Sequence, residues 1–130
     1  IKWFLDSIGN EGLHRIAAAL DPDTKAKASC IFTVVTGPED SDITVIEGSV
    51  NGKIVAPRGN GGFGWDVVFE PELSSQPNAE LPGRTYGEMA PEEKNRISHR
   101  SKALAAVKNV LQTLADASSR KRCRDSNSEE

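Results

Sequence analysis

The run Arg58-Gly59-Asn60-Gly61-Gly62-Phe63-Gly64-Trp65-Asp66, continued by Val67-Val68-Phe69, decides how the rest of the chain is read. Gly59, Gly61 and Gly64 match a G-x-G-x-x-G pattern. In a dinucleotide-binding unit that pattern follows a strand and opens a helix, so that a pyrophosphate meets the helix N-terminus. Here the glycines lead into an apolar, β-branched run stopped by Pro71, which reads as a short buried strand over Val67 to Phe69. That context excludes a doubly wound nucleotide fold. A protein-kinase glycine loop is excluded as well, because no H-R-D or D-F-G follows. Two readings remain. One is a glycine-rich hairpin between strands. The other is a loop shaped for a flat ligand, in which aromatic planes, a carboxylate and approachable amides offset the backbone entropy that glycines lose on ordering.

Outside this run the chain is that of an ordinary globular domain. Its 130 residues suffice for one core. A net charge of −3 gives no electrostatic case for non-specific nucleic-acid binding. The two cysteines, Cys30 in a strand-like segment and Cys123 in a polar one, do not suggest a disulfide scaffold and fit a reducing compartment. No apolar run approaches membrane-spanning length.

The chain opens at Ile1 inside an amphipathic pattern, which suggests that an upstream part precedes it. Ile1 to Ile8 and Glu11 to Leu20 read as two helices broken at Gly9-Asn10. Ala28 to Thr36 and Ile43 to Glu47 read as strands, and Ser49 to Ala56 as a third, bent or bulged at Gly48 and Gly52. Glu70 to Arg84 is a proline-bearing loop. Pro91-Glu92-Glu93 opens a helix expected to run to about Ala115, with proline at its first position and acids in its first turn. Residues 1–117 form the expected folded part. Residues 118–130 carry no apolar face and read as a disordered charged tail, whose Lys121-Arg122-Cys123-Arg124 cluster is an ordinary solvated segment or a nuclear signal.

A second constellation lies on that helix. Leu104, Val107, Leu111 and Leu114 make an apolar stripe, and a step back of four residues puts Arg100 on the same face. A buried guanidinium requires a planar or anionic partner, with Asp66, Glu88 or a ligand oxygen as candidates. Lys94 and Ser98 share an adjacent face near the helix N-terminus, where anions are favoured. Lys94 reads alternatively as a surface cation paired with a glutamate, the commoner case for a helix lysine, and His99 as a structural histidine without a nucleophile or metal partner. Trp3, Phe4 and Phe32 read as core. Tyr86 and Met89 read as packing residues that seat the helix. Phe63 and Trp65 flank a single glycine and, if extended, point to one side, where they grip a base or fill a core.

Taken in order, Ile1-Lys2-Trp3-Phe4-Leu5, Glu11-Gly12-Leu13-His14, Gly52-Lys53-Ile54-Val55-Ala56-Pro57-Arg58-Gly59, Phe63-Gly64-Trp65-Asp66, Thr85-Tyr86-Gly87-Glu88-Met89 and Glu93-Lys94-Asn95-Arg96-Ile97-Ser98-His99-Arg100 resemble the inosine triphosphate pyrophosphatase (Ham1-like) family in its eukaryotic form. The match covers about Ile1 to Leu114. It implies an α/β fold, the C-terminal part of an elongated mixed sheet with flanking helices. It also implies cleavage of deaminated purine nucleotides (ITP, dITP, XTP) to the monophosphate and pyrophosphate, with Mg²⁺ as cofactor and Mn²⁺ as the alternative, a homodimer and a cytoplasmic location. By position, Phe63, Gly64, Trp65 and Asp66 would form the base pocket. His99 and Arg100 would read the base edge, Arg100 donating to the 6-oxo group, while Lys2 and Lys94 would contact phosphates or sugar. The family's first strand, its Thr/Ser-Gly-Asn-x-x-Lys phosphate loop and its acidic metal-binding residues have no counterpart here, so the catalytic groups and metal ligands are expected upstream of Ile1. The resemblance thus also allows a catalytically incomplete fragment that binds nucleotide or dimerises. The Glu72 to Gly83 loop and the charged tail are longer than the family pattern.

Overall fold

The structure, a computed structural model, describes residues 1–72 and 83–125. Two long strands, β1 (Lys25–Val35) and β2 (Ile43–Ile54), form an antiparallel hairpin running from the pair Lys25 and Lys53 to the pair Val35 and Ile43. A short third strand, β3 (Phe69–Pro71), pairs with the end of β2 and completes a sheet of order β1-β2-β3. Helix α1 (Lys2–Leu20) precedes the sheet, and α2 (Pro91–Ile97) and α3 (His99–Asp125) follow it. The α/β class is as read from the sequence.

Alternation along β2 places Ile46, Gly48, Val50 and Gly52 on one buried face, and α3 covers that face. The expected break between two strands at Gly48 does not occur: the ladder passes from Cys30–Gly48 to Ser29–Ser49 without an extra residue. Gly48 serves another purpose. A Cβ there would collide with the backbone of His99 and Ala103, so the missing side chain lets α3 lie directly on the sheet. The core itself gathers Ala28, Val50, Phe69, Tyr86 and Ile97, with Trp65, Ile54 and Met89 packed against it.

Three other expectations change in detail. The break at Gly9-Asn10 is a kink inside α1, with Gly9 at φ 67°. Asp66–Val68 form a turn of 3-10 helix, and the strand starts only at Phe69. The helix opened by Pro91 stops at Ile97, because Ser98 adopts an extended backbone with φ −66° and ψ 152°. The Ser98 hydroxyl then accepts the Ser101 N–H at 3.2 Å, an N-cap for α3.

This break resets the helical phase. Ala103 becomes the fully buried position of α3, while Leu104 and Leu111 are about half exposed. Arg100, expected on the buried stripe, is exposed. Trp3 and Phe4, expected in the core, are exposed as well, Trp3 at 88%. Along α1 the apolar pattern is covered only in part: Leu5, Leu13 and Ala17 are partly buried, while Ile8, Ile16 and Leu20 stay exposed. Phe32 is partly buried. The backbone of 118–125, placed in a disordered tail by the sequence, continues α3. Residues 73–82, within the segment from Glu70 to Arg84 expected to be a loop, and residues 126–130 of the expected tail lie outside the described residues.

Candidate functional site

The glycine loop is shaped by close backbone contacts. Gly59, Gly62 and Gly64 all take positive φ, at 79°, 73° and 62°. The loop rests on the turn Tyr86–Glu88: the Gly61 N–H donates to Gly87 O at 2.9 Å, and the Thr85 hydroxyl donates to Arg58 O at 2.9 Å. Glu88 accepts the Thr85 N–H at 2.8 Å and so closes the turn on itself. That bond, from a backbone N–H, is the main reason the Glu88 carboxyl lies below its usual pKa range. The Arg58 guanidinium adds an ion pair to Glu70, so the loop is tied down at both ends.

Asp66 joins the loop to α2. Its Oδ2 accepts the Phe63 N–H at 2.6 Å and the Lys94 ammonium at 2.6 Å, and the residue is only 3% exposed. Lys94 Nζ also lies 4.5 Å from the Phe63 ring centroid and 5.6 Å from that of Tyr86. Lys94 is therefore paired with a buried carboxylate and not with a surface glutamate. Gly62 faces the same carboxylate, and a Cβ at that position would collide with Asp66 Oδ2.

The two aromatic side chains flanking Gly64 have different surroundings. The left-handed turn at Gly64 replaces the extended geometry expected there. Trp65 is wedged against Phe69 (5.4 Å between centroids, edge-on), His99 (5.3 Å) and Tyr86 (6.4 Å). Phe63 is 72% exposed. One ring thus forms a fixed wall, and the other stands free beside it.

These residues open onto a cavity of about 880 Å³ between the loop, β1 and the start of α3. Of the residues singled out from the sequence, Phe63, Trp65, Asp66, Lys94, His99 and Arg100 line it. Gly64 lies between two lining residues without lining the cavity itself, and Lys2, exposed on the first turn of α1, does not reach it. The sequence reading missed the β1 wall of Ser29, Cys30 and Phe32. Alternation along a strand identifies the face carrying Cys30 and Phe32, but which element it faces is a tertiary matter.

The electrostatics separate the two cations. Lys94 is neutralised by Asp66, whereas no carboxylate among the described residues lies within ion-pair distance of Arg100. Both candidate protein partners of Arg100 are engaged elsewhere, Asp66 by Lys94 and Glu88 by Thr85. Burial and the Lys94 charge hold the His99 imidazole below its ordinary pKa, with Asp66 opposing and Arg100 adding to the depression. The imidazole is therefore neutral at pH 7, able to accept as well as donate. Among the described residues no three His, Cys, Asp or Glu side chains converge to hold a metal ion.

The cavity thus combines one fixed aromatic wall, one exposed ring, a neutral imidazole and a guanidinium without an ion-pair partner among the described residues, all carried by an α/β fold. The Ham1 family model matches residues 1–110. The chain is 44% identical over 118 residues to the inosine triphosphate pyrophosphatase of Yarrowia lipolytica, covering 91% of this chain and 57% of that protein. It is 48% identical over 107 residues to the Neurospora crassa protein of the same name, covering 82% and 50%. The HAM1 protein of Coxiella burnetii superposes with a TM-score of 0.67 at 32% identity, over 83% of this chain and 52% of that one. The chain belongs to the Ham1 family, and it spans about half the length of the relatives it matches.

Proposed function

We propose that this chain supplies the base-recognising part of a nucleoside triphosphate pyrophosphatase that cleaves ITP, dITP or XTP to the monophosphate and pyrophosphate. The observation that carries the proposal is that Arg100 lines the same cavity as Trp65 and Phe63 and has no ion-pair partner among the described residues. A purine would stack on Trp65, with Phe63 free to close on its other face. Arg100 would then donate to a 6-oxo group. Adenine presents an amino group at that position, leaving the guanidinium facing another donor, which penalises the wrong base. Neutral His99 would complete the edge. Lys94, held by Asp66 through one of its three ammonium hydrogens, would offer another to sugar or phosphate. The names of the relatives from Yarrowia lipolytica and Neurospora crassa support the same activity.

The proposal includes a Mg²⁺ requirement, with metal ligands outside the described residues, and Lys2 as a phosphate contact. It further includes a homodimer in the cytoplasm. No helix of the described residues is long and apolar enough to cross a membrane.

The test is pyrophosphate release by the full-length protein from ITP and from ATP in the presence of Mg²⁺. ITP should be cleaved far faster. Arg100→Met should reduce the preference about 10- to 100-fold, the range expected for a hydrogen bond from a charged donor. Comparable rates on the two nucleotides in the unmodified protein would sink the assignment of specificity.

A further inference from the structure

We propose that Asn10 is a positioning residue for the nucleotide pocket, acting from a helix that contributes no wall to the cavity; this rests on the pocket's being the base site. Asn10 Nδ2 donates to the carbonyl of Gly64 at 3.1 Å, across 54 positions of sequence. Gly64 is the residue between the two aromatics of the site. Its φ is 62°, and nothing lies within 4 Å of where a Cβ would stand. The peptide that orients Phe63 relative to Trp65 is thus held from outside the loop by one amide.

Two further features show that α1 is built to deliver this contact. The helix kinks at Gly9, with φ 67° and ψ 179°, immediately before Asn10. That conformation strains any residue but glycine, and the residue that follows it is the one that reaches the loop. In addition, Asn10 Oδ1 is buried and has no hydrogen-bond partner among the described residues. A half-satisfied buried amide is costly if its only purpose is packing. It is explained when its donor half performs a task, here fixing the Gly64 carbonyl.

Asn10→Asp tests this directly, because it keeps the shape and removes the N–H donor; Asn10→Ala removes the donor without adding charge. In the full-length protein both variants should raise KM for ITP about 2- to 10-fold, the span of one neutral hydrogen bond, with kcat unchanged and Tm lowered by only a few degrees. Hydrogen–deuterium exchange of the segment Gly59 to Asp66, followed without nucleotide, should quicken in both variants while exchange in α3 stays constant. Unchanged loop exchange in either variant overturns the proposal. So does faster exchange throughout the protein, which would make Asn10 a general stabilising residue. If the unmodified protein does not cleave ITP, the functional proposal falls, and the exchange measurement still decides whether Asn10 positions the loop.

Discussion

Asp66 and Lys94 carry most of the site's local order. The carboxylate takes an ammonium and a backbone N–H on one oxygen, with both side chains largely out of water. Removing one member of such a pair leaves the other desolvated and uncompensated. Asp66→Asn should therefore destabilise the protein by about 3–5 kcal/mol in chemical denaturation. Lys94→Met in the Asp66→Asn background should recover part of that loss, because no unpaired charge then remains. A loss under about 1 kcal/mol for Asp66→Asn would place this pair with ordinary solvated ion pairs. Residue chemistry near this pair was readable from the chain: the aromatic-glycine-acid run, Lys94, His99 and Arg100 were all singled out. Their partners were not, because Asp66 and Lys94 are 28 positions apart and nothing local links them.

At the level of elements, the junctions of α3 matter most. The helix begins at the Ser98 break and crosses the sheet at Gly48, so His99 and Arg100 are placed by two contacts that have nothing to do with a ligand. Gly48→Ala would press a methyl into the backbone of His99 and Ala103. An overpacking cost of about 1–3 kcal/mol is expected, read as a lower denaturation midpoint. IMP binding should weaken beyond that effect, since lifting α3 displaces His99 from Trp65; an unchanged dissociation constant would show that the helix start moves independently of the sheet. An unbroken helix from Pro91 was the natural reading of the sequence. The Ser98-His99-Arg100-Ser101 spacing did contain a capping signal, which the strong apolar stripe further along obscured.

For the molecule as a whole, the neutral His99 sets a pH dependence. Its folded pKa is lowered from the ordinary value of 6.5. The unfolded chain therefore binds more protons on falling pH, and stability rises with pH across this window. Its contribution is fully present above about 6.5 and is lost as the pH falls through the depressed folded value. Melting temperature should decline from pH 7 toward pH 5, and His99→Asn should flatten that part of the profile. An identical slope in the variant would assign the decline to other groups.

The sequence by itself determined the α/β class, the glycine loop that is not a Rossmann fingerprint, and one part of the cavity lining: Phe63, Trp65, Asp66, Lys94, His99 and Arg100. These follow from local rules: strand alternation, proline and acids at a helix start, and glycines where only positive φ will serve. Tertiary structure decided which residues meet. It exposed Trp3 and Arg100, turned Gly48 from an expected bulge into a helix seat, gave Lys94 a buried aspartate, and brought Asn10 to Gly64. Each of these depends on contacts between segments far apart in the chain, and a periodic pattern identifies an apolar face without specifying what will cover it.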